Sequence, residues 1–368
     1  MIHYCFFTGS YSRYDPLMFE RQGKSLIQAG YKVTYIVCDD KPNEVVDGIE
    51  ICSTNFKPKN RYQRFFLVKR KLLHVALSVD ADIYQISDPQ LISCVNVLKK
   101  HGKKVIFNMR EYYPDMLKSK SYIPKYLRPS VALLYKFLQK KSLKKYDAVF
   151  VVTTWILEIV KKEWNIEKSY LLTNFPIVDK KFCLSYEEYQ KRENILCYEG
   201  TIYKSSRQEN VFKALEHIPD VHYLLAGKID ENSFYIKDLP YWKNVEFVDG
   251  FTSKELKKIL RRSTMANVFR DFGKHDGSLG VIKIFECMEA ALPVLMADVP
   301  LYRFIVSKYH CGICVNPNDP VQIERAIRYL IDNKREAYLM GQNGRRAVLE
   351  EYNWENQAKK YIQVIKEL

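Results

Sequence analysis

The stretch LGVIKIFECMEAALPVLMAD, residues 279–298, joins a short apolar helix directly to a buried strand. The apolar residues of its first part recur at helical spacing, and residues 293–297 form a short apolar run of strand type. Lys283 and Glu286 are three residues apart near the start of the helix, so their side chains share one face. A helix that begins after Gly280 offers free backbone N–H groups and the positive end of its dipole, which together suit a phosphate.

Each part of this pattern suits one part of a nucleoside diphosphate. Lys283 adds a positive charge that can reach an anion at the helix N-terminus, and the Glu286 carboxylate can accept hydrogen bonds from the vicinal hydroxyls of a ribose. The alternative is an ordinary surface pair of Glu and Lys, which stabilises a helix by only about 0.2–0.5 kcal/mol. The spacing alone leaves both interpretations open.

Strand-like and helix-like segments alternate along the whole chain. The strand-like runs include IHYCFFTGS, YKVTYIVCDD, ADIYQIS, KKVIFNM and AVFVVTT in the first half, and NILCYEGTI, VHYLLAG and PVLMAD in the second. Such alternation predicts an α/β fold class with two doubly wound parallel sheets, each with helices on both faces. Ligands of such sheets bind outside the carboxyl ends of the strands, so we expect the two domains to face a central cleft that holds the site.

The predicted domain boundaries follow changes in this pattern. Residues 1–180 form the first domain, and residues 181–352 form the second. The charged and weakly patterned stretch at 179–193 is the expected linker. Residues 353–368 are predicted to form a C-terminal helix that packs back on the first domain.

The composition indicates a globular protein without a membrane span. The 368 residues are 47% apolar and 14% aromatic, and no run of about 18 apolar residues occurs. The start, MIHYCFFTGS, is typical of a first strand and not of a signal peptide. The nine cysteines lie mostly in apolar strand-like runs, as free thiols do in the reducing cytoplasm. Cys311 and Cys314 form a CxxC pair, but no second pair completes a zinc site.

The net charge of +15 is concentrated in the first half of the chain. Residues 1–180 hold 30 Lys and Arg against 17 Asp and Glu, a balance of +13, whereas the balance of the remaining residues is +2. The interval between Glu50 and Asp80 has seven basic residues and no acidic one, and the interval between Asp115 and Asp147 has nine and none. Such a field implies an anionic partner for the first half: a membrane, a nucleic acid or a charged substrate.

One segment combines this positive charge with apolar residues. The stretch IPKYLRPSVALLYKFLQKKSLKKY, residues 123–146, holds both kinds of side chain: Leu133, Leu134, Phe137, Leu138, Lys136, Lys140, Lys141, Lys144 and Lys145. It predicts a helix that binds an anionic membrane, where each basic side chain contributes about 1 kcal/mol, or else a core helix with a soluble basic end. The sequence leaves both possibilities open.

Motifs of other nucleotide-binding classes do not occur in the sequence. It has neither a G-x-x-x-x-G-K-[ST] phosphate loop nor a G-x-G-x-x-G fingerprint. The triplet Asp80-Ala81-Asp82 matches the D-x-D pattern of metal-dependent sugar transferases, but it lies where a helix ends and the strand ADIYQIS begins. Polar residues are common at such a boundary, so we predict no metal site.

The opening stretch resembles the P-x-K-[LI]-F-E-Y-M-A-x-G-x-P-V signature of family 4 glycosyltransferases. These are retaining enzymes with two Rossmann-like domains in the GT-B fold. Further segments resemble motifs of that family in the same order: YDPLMFERQGKSLIQAGYKVTYIV, ADIYQISDPQL, FNMREYYPDM, YDAVFVVTTW, SYLLTNFP, YEGTIYKSSRQENVFKAL, VEFVDGFTSKEL and EEYNWENQAKKY. The resemblance extends along nearly the whole chain and implies a glycosyltransferase of the bacterial surface-polysaccharide type.

The resemblance assigns a donor site by position. Lys283 and Arg207 would stabilise the departing diphosphate, and Glu286 would bind the ribose. The other donor-binding residues would be Gly200, Lys204, Phe251, His275, Asp276, Ser278, Gly280, Val281 and Ile282. Phe251 would line the base pocket. The alternative for Arg207 and its neighbour Lys204 is an ordinary solvated loop.

The acceptor site is assigned in the same way. Asp88 and Glu111 follow two strands of the first domain and would face the cleft. Glu111 would be catalytic, together with Lys283 and Arg207. Arg110 and Gly9 would complete the acceptor site, with Gly9 allowing the backbone to approach a ligand closely. The alternative for the two carboxylates is a loop-capping role.

Of the positions that depart from the family pattern, two bear directly on the predicted site. The glutamate that usually touches the donor sugar is Ser278 here, so His275 and Asp276 are candidates for that contact. The histidine of the acceptor-side segment is Arg110, which could bind an anionic sugar or pair with Glu111.

These features together predict a glycosyltransferase that moves a sugar, with retention and without a metal or other cofactor, from a UDP- or GDP-sugar. The expected acceptor is a saccharide or a polyprenyl-diphosphate-linked saccharide in surface polysaccharide biosynthesis. The expected location is cytoplasmic and peripheral, on the inner face of the cytoplasmic membrane. The alternatives are a nucleotide-sugar epimerase on the same fold and a basic nucleic-acid-binding protein. The latter would use NRYQRFFLVKRK but leaves Lys283 and Glu286 unexplained, so no nucleic acid is expected as a partner.

Overall fold

The computed structural model describes residues 1–60, 62–120, 122–270 and 282–368. These residues form two compact units. The first contains Met1–Asn174 together with Gln357–Leu368, and the second contains Phe175–Asn356. Each unit is a parallel sheet with helices packed against it, so the predicted α/β fold class with two doubly wound domains is confirmed.

Eight strands of the described residues form the sheet of the first unit, in the order β3-β4-β2-β1-β5-β6-β7-β8. Neighbouring strands are parallel, except that β3 is antiparallel to β4. The strands are β1 (His3–Thr8), β2 (Lys32–Val37), β3 (Glu44–Val46), β4 (Ile49–Ser53), β5 (Ile83–Ile86), β6 (Lys104–Met109), β7 (Ala148–Val151) and β8 (Ser169–Leu171).

Six strands of the described residues form the sheet of the second unit, in the order β11-β10-β9-β12-β13-β14, and all neighbours are parallel. They are β9 (Ile195–Glu199), β10 (His222–Ala226), β11 (Val245–Val248), β12 (Met265–Val268), β13 (Val294–Ala297) and β14 (Gly312–Val315). The strand predicted at 293–297 is β13, which follows helix α10 (Ile282–Glu289) after a short connection.

The α-helices alternate with these strands. They are α1 (Lys24–Gln28), α2 (Val68–Val79), α3 (Val95–Lys100), α4 (Tyr113–Ser119), α5 (Arg128–Leu143), α6 (Thr154–Glu158), α7 (Tyr186–Lys191), α8 (Gln208–Leu215), α9 (Ser253–Arg262), α10 (Ile282–Glu289), α11 (Pro300–Tyr309), α12 (Pro320–Asp332), α13 (Lys334–Glu350) and α14 (Trp354–Lys366). Short π-helical turns lie beside α1, α2 and α6, at Met18–Gly23, Gln63–Leu67 and Ile159–Glu163. Short 3-10 turns occur at Pro89–Cys94, Lys125–Leu127, Lys204–Ser206, Glu231–Asp238 and Pro240–Asn244.

The central strands explain why the sequence adopts this fold. In β1 the residues from Tyr4 to Thr8 are at most 1% exposed, because helices cover both faces of the sheet. A strand that is buried on both faces has a continuous apolar run instead of an alternating one. The register aligns Phe7 with Ile86 and Ile86 with Phe107. Residues that follow β1, β5 and β6 therefore lie at one edge of the sheet.

The C-terminal helix α14 contributes most of its length to the first unit. The Tyr361 hydroxyl lies within hydrogen-bond distance of the Tyr4 hydroxyl, at 3.0 Å, and of Gln85 Oε1, at 2.9 Å, and can donate to one of them. The side-chain carbonyl of Gln357 accepts a 3.1 Å hydrogen bond from the backbone N–H of Thr173. These buried polar contacts fix the end of the chain on the sheet of the first unit.

The stretch at 179–193, predicted to be a linker, instead contains helix α7 and belongs to the second unit. Ser185 caps α7 by accepting from the backbone N–H of Glu188, whose side chain accepts from the backbone N–H of Ser185 in return. Arg345 donates to the backbone carbonyls of Asp179 and Phe182. The capping pair explains how so charged a segment forms a helix.

Helix α5 has an apolar face that the first unit does not cover. Leu133, Leu134, Phe137 and Leu138 are 48–70% exposed, and Ala132 and Leu143 are the apolar residues that α5 buries. The core-helix alternative for residues 123–146 is therefore wrong for these four side chains. Among the described residues, no helix has both the length and the apolarity needed to cross a membrane.

Candidate functional site

Lys283 lies on the first turn of α10, where its ammonium group packs against the end of β9. The Nζ atom donates a 3.2 Å hydrogen bond to the Tyr198 hydroxyl and lies 4.5 Å from the centre of that ring. A Cβ atom at Gly200 would overlap the same ammonium group, and Gly200 has φ of +103°. Glycine at this position therefore makes room for the lysine side chain.

Glu286 lies one turn further along α10 and contacts a second carboxyl group. The Glu199 carboxyl group, at the carboxyl end of β9, lies within hydrogen-bonding reach of Glu286 and is 5% exposed. Burial, and then the charge of Glu286, raise the pKa of Glu199 to about 8, while Lys283 acts in the opposite direction. Lys283 and Glu286 are both half-buried. The surface-pair alternative does not describe this environment.

The other described donor-site candidates differ in exposure. Arg207 has φ of +51° and precedes α8, and its Nη1 lies 3.7 Å from Glu209 Oε1. Lys204 is exposed on a 3-10 turn. Phe251 is half-buried and packs against the apolar core beside α9 and α10. Ile282 is the first residue of α10.

Five predicted donor-site residues lie outside the described residues: His275, Asp276, Ser278, Gly280 and Val281.

The first unit contains a cavity of about 330 Å³ at the carboxyl ends of β5 and β6. The predicted acceptor residues Asp88, Arg110 and Glu111 line it, and the structure thereby brings three of the sequence candidates together. The sequence did not single out its other charged and aromatic lining residues, which are Tyr11, Arg64, Phe107, Tyr113, Lys120 and Tyr122. Cationic and aromatic side chains in one concave site suit a polar, partly anionic ligand.

One carboxylate oxygen of Asp88 accepts hydrogen bonds within the first unit, and the other accepts none from the described residues. Oδ2 accepts from the Thr8 hydroxyl at 2.8 Å and from the backbone N–H of Gly9 at 2.5 Å. Oδ1 is buried and has no hydrogen-bond partner among the described residues. Burial raises the pKa of Asp88, and its hydrogen bonds, first the one from the Gly9 N–H, oppose that shift. The loop-capping alternative therefore describes Oδ2, and Oδ1 remains available to a ligand.

Arg110 is held by Asp15 and not by Glu111. Its Nη1 donates to both carboxylate oxygens of Asp15 at 3.0 Å, and its guanidinium stacks 4.0 Å from the centre of the Tyr11 ring. Glu111 is exposed at the cavity. Of the two alternatives for Arg110, the pairing with Glu111 does not occur, because Asp15, 95 residues away in sequence, is its partner in the fold.

Gly9 has a packing role in the structure. A Cβ atom at Gly9 would overlap the Val68 side chain of α2. Glycine at this position lets α2 pack closely on the loop after β1. The contact accounts for the residue without a ligand, although the Gly9 N–H also positions Asp88.

The D-x-D triplet lies at the opposite edge of the first sheet from the cavity, before β5. Asp80 ends α2 and pairs with Lys103 at 2.6 Å, and the Asp82 carboxylate accepts from the backbone N–H of His3 at 2.8 Å. Within the described ranges, no group of three or more His, Cys, Asp or Glu side chains could hold a metal ion. Both aspartates therefore have structural partners.

Sequence reasoning missed Glu199 and Tyr198, the two residues that surround Lys283 and Glu286. The available signal was the YEG triplet at the end of a predicted strand. In a doubly wound sheet, such residues lie at the ligand-binding edge. A carboxylate at that position was therefore a candidate on topology alone.

Two family models match the chain. The model described as Glycosyltransferase Family 4 matches residues 19–174, and the model described as Glycosyl transferases group 1 matches residues 186–347. Each match falls within one of the two units.

Similar proteins include an uncharacterized glycosyltransferase of Methanocaldococcus jannaschii, 28% identical over 48% of this chain and 46% of that protein. The O-antigen chain mannosyltransferase RfbU of Salmonella typhimurium is 23% identical over 59% of this chain and 57% of that protein. The chain thus spans about half the length of these curated relatives. A solved structure of Anabaena HepE in complex with UDP and glucose has a TM-score of 0.70 at 10% identity, with 100% of both chains covered.

Proposed function

We propose that this chain, which belongs to the glycosyltransferases of the two-domain GT-B fold, transfers a sugar from a nucleoside diphosphate to a saccharide or a lipid-linked saccharide. The observation that supports this function best is the position of Lys283, stacked on Tyr198 and packed against Gly200 on the first turn of α10. A cation held at that place is oriented before a ligand arrives.

The donor diphosphate binds at Lys283 and at the backbone N–H groups of the first turn of α10, which starts at Ile282. As the bond between sugar and diphosphate breaks, negative charge builds on the diphosphate. Lys283 stabilises this charge more in the transition state than in the ground state, which is how a fixed cation accelerates the reaction. Arg207 is the second cation that stabilises the diphosphate, and Lys204, on the 3-10 turn directly before it, is the alternative candidate for this role.

Glu286 accepts hydrogen bonds from the ribose hydroxyls. It lies one turn from Lys283 on the same face of α10, which matches the order of ribose and diphosphate in a nucleotide. Phe251 lines the pocket for the base. UDP is the first nucleotide to test, because the solved neighbour HepE was obtained with UDP, and GDP is the second.

The acceptor binds in the cavity of the first unit. The unpartnered Oδ1 of Asp88 accepts a hydrogen bond from an acceptor hydroxyl, and the exposed Glu111 approaches the reacting hydroxyl from the cavity rim. Arg110 presents a guanidinium that Asp15 and Tyr11 already orient. Transfer proceeds with retention and without a metal, and a diphosphate oxygen takes the acceptor proton.

The exposed face of α5 holds the enzyme peripherally on the inner face of the cytoplasmic membrane. Four large apolar side chains are exposed there, and Lys141 and Lys144 are exposed near the end of the same helix. An amphipathic helix with basic residues binds an anionic membrane in this manner. A membrane location brings the enzyme to a polyprenyl-diphosphate-linked acceptor. The likeness to an O-antigen chain mannosyltransferase supports a role in surface polysaccharide biosynthesis.

Donor profiling tests this function. The purified protein is incubated with a panel of UDP- and GDP-sugars, with lipid-linked and free saccharide acceptors and with EDTA present, and products are measured by mass spectrometry. We expect one class of donor to yield a product whose mass is the acceptor plus one sugar residue. No product from any combination of donor and acceptor, together with no nucleotide binding, would contradict the proposal.

A further inference from the structure

The carboxyl group of Glu199 is buried at the predicted donor site and has no part in the function described so far. It is 5% exposed at the end of β9, and its Oε1 atom is buried without a hydrogen-bond partner among the described residues. An ionised carboxylate in that environment is costly, because burial removes its hydration. Such a group is retained where it has a partner or a task.

The partner of Glu199 is Glu286, the residue assigned to the ribose. The two carboxyl groups lie within hydrogen-bonding reach of each other, and a hydrogen bond between them requires a proton on one of them. Lys283 lies on the same side, with its Nζ on the Tyr198 hydroxyl. Two carboxyl groups and one ammonium therefore meet where β9 ends and α10 begins.

We propose that Glu199, in its protonated form, donates a hydrogen bond to Glu286 and so fixes the carboxylate that binds the ribose, and that the pair binds the donor only while it holds one proton. The inference rests on the proposed donor site and adds a positioning residue to it. Glu199 acts through Glu286 and does not touch the nucleotide.

The surroundings of Glu199 favour its neutral form. Burial is the largest influence and favours the neutral acid, and the charge of Glu286 adds to it, so the pKa of Glu199 rises to about 8. The other titratable groups that face it within the described residues are Lys283 and the thiols of Cys197 and Cys287. Burial raises the pKa of Cys197 to about 12 and that of Cys287 further above its ordinary value, so neither thiol titrates near neutral pH.

Loss of this proton has two consequences for donor binding. The hydrogen bond to Glu286 disappears, and the two like charges push the carboxylates apart, so Glu286 loses its orientation toward the ribose. A second negative charge also stands beside Lys283 and reduces its attraction for the diphosphate. Donor affinity should therefore decrease as the pH rises through about 8.

Calorimetric titration with UDP and GDP from pH 7 to pH 9 tests the inference on the wild type, Glu199→Gln and Glu199→Ala. A glutamine amide donates the same hydrogen bond to Glu286 but does not titrate. We expect the nucleotide affinity of Glu199→Gln at pH 7 to be within about three-fold of the wild-type affinity. This affinity should stay the same up to pH 9, apart from the effect of the titration of the nucleotide itself. The wild-type Kd should rise relative to this variant by up to about ten-fold per pH unit above pH 8.

Glu199→Ala tests whether the hydrogen bond to Glu286 is needed for donor binding. It lacks the donor group, so its affinity at pH 7 should be at least about ten-fold weaker than that of Glu199→Gln. If Glu199→Ala does not fold, the comparison of pH profiles between the wild type and Glu199→Gln decides alone.

Two results would overturn the inference while leaving the donor site in place: parallel pH profiles of the wild type and Glu199→Gln, or a Glu199→Gln variant that binds as weakly as Glu199→Ala. A wild type that binds neither UDP nor GDP at any pH would overturn the proposed donor site as well.

Discussion

The ammonium group of Lys283 lies 4.5 Å from the centre of the Tyr198 ring and donates a 3.2 Å hydrogen bond to the Tyr198 hydroxyl. The two residues come from different elements, the first turn of α10 and the end of β9. The ring and the hydroxyl hold a long and otherwise flexible side chain in one orientation, with a cation–π attraction of about 0.5–2 kcal/mol. Reduced mobility of the cation lowers the entropic cost of binding a diphosphate.

A side chain at Gly200 should displace this cation. Gly200→Ala places a methyl group on the Lys283 ammonium and also puts alanine at φ of +103°. We expect nucleotide affinity to decrease by about ten-fold or more, with a loss of roughly 1–2 kcal/mol in unfolding free energy from the backbone strain. Calorimetry and thermal unfolding measure the two effects.

Gly30→Ala is the matched control for that variant. Gly30 has φ of +84°, and no atom lies within 4 Å of an added Cβ. It should show a similar loss of stability and unchanged nucleotide affinity. Equal nucleotide affinity in both variants would show that the space beside Lys283 does not matter.

The stability of the second unit should depend on pH through Glu199. Its folded pKa of about 8 lies above the ordinary 4.5, so the folded protein keeps a proton that the unfolded chain loses. The stabilising effect of that proton is complete below about 4.5 and is lost as the pH rises to about 8. Glu199→Gln removes this dependence, so its gain in unfolding free energy over the wild type should grow from near zero at pH 4.5 to roughly 2–4 kcal/mol at pH 8.5.

Thermal unfolding of both proteins at several pH values measures this difference. A melting temperature difference that is the same at pH 5 and pH 8.5 would show that Glu199 is not protonated in the folded state. Glu246→Gln is a suitable control, because Glu246 forms an exposed pair with Arg262 and shows no such burial.

Arg110→Lys should impair acceptor use without affecting the donor. Lysine keeps the positive charge but loses the flat guanidinium that stacks on Tyr11 and reaches both oxygens of Asp15. We expect turnover with the acceptor to decrease by about ten-fold and nucleotide affinity to stay within about two-fold. Initial rates at varied acceptor concentration and calorimetry with the nucleotide provide the two readouts.

Arg70→Lys controls for the general effect of replacing an arginine in this unit, since Arg70 is exposed on α2. Turnover that falls equally in both variants, or nucleotide affinity that falls with Arg110→Lys, would show that the cavity does not bind the acceptor.

Vesicle binding should depend on both the charge and the apolar face of α5. Lys141→Glu with Lys144→Glu should reduce sedimentation with anionic vesicles, with about 1 kcal/mol lost for each charge removed and more for reversal. Leu134→Ser with Phe137→Ser should reduce it as well, because both side chains are at least 60% exposed and would insert into the headgroup region. Binding of the wild type should weaken as salt rises.

Lys254→Glu with Lys258→Glu is the matched control, since both lysines are exposed on α9 of the second unit. Equal wild-type binding to neutral and anionic vesicles, or a control that is released as readily as the α5 variant, would contradict the membrane assignment. Tight binding of single-stranded nucleic acid by the wild type would give the basic surface another partner.

The fold was predictable because the alternation of apolar strands and amphipathic helices specifies doubly wound sheets directly. The edge of the sheet that contains Asp88, Arg110 and Glu111 followed from the same topology. Partners distant in sequence were not predictable: Asp15 meets Arg110 across 95 residues, and Glu199 meets Glu286 across two elements. Periodicity assigns residues to a face, but it does not identify the neighbour on the facing element.

The same reasoning explains why the sequence left α5 open and missed α7. Apolar residues at helical spacing are normally buried, so the sequence of α5 allowed a core helix as well as a membrane-binding helix, and the structure leaves its Leu and Phe side chains exposed. In the stretch at 179–193, the high charge obscured a capping pair between Ser185 and Glu188. Local hydrogen bonds therefore formed a helix where hydrophobic patterning predicted none.

The central claim is that Lys283 binds the diphosphate of the donor, and calorimetric titration of UDP and GDP into matched variants tests it most directly. Lys213 is the control, because it is an exposed lysine on α8 of the same unit. We predict that Lys283→Ala stays folded and weakens nucleotide binding by about 10- to 100-fold, as expected for loss of a charged hydrogen bond, and that Lys213→Ala binds as the wild type does. A folded Lys283→Ala variant with wild-type affinity for the nucleotide would contradict the account.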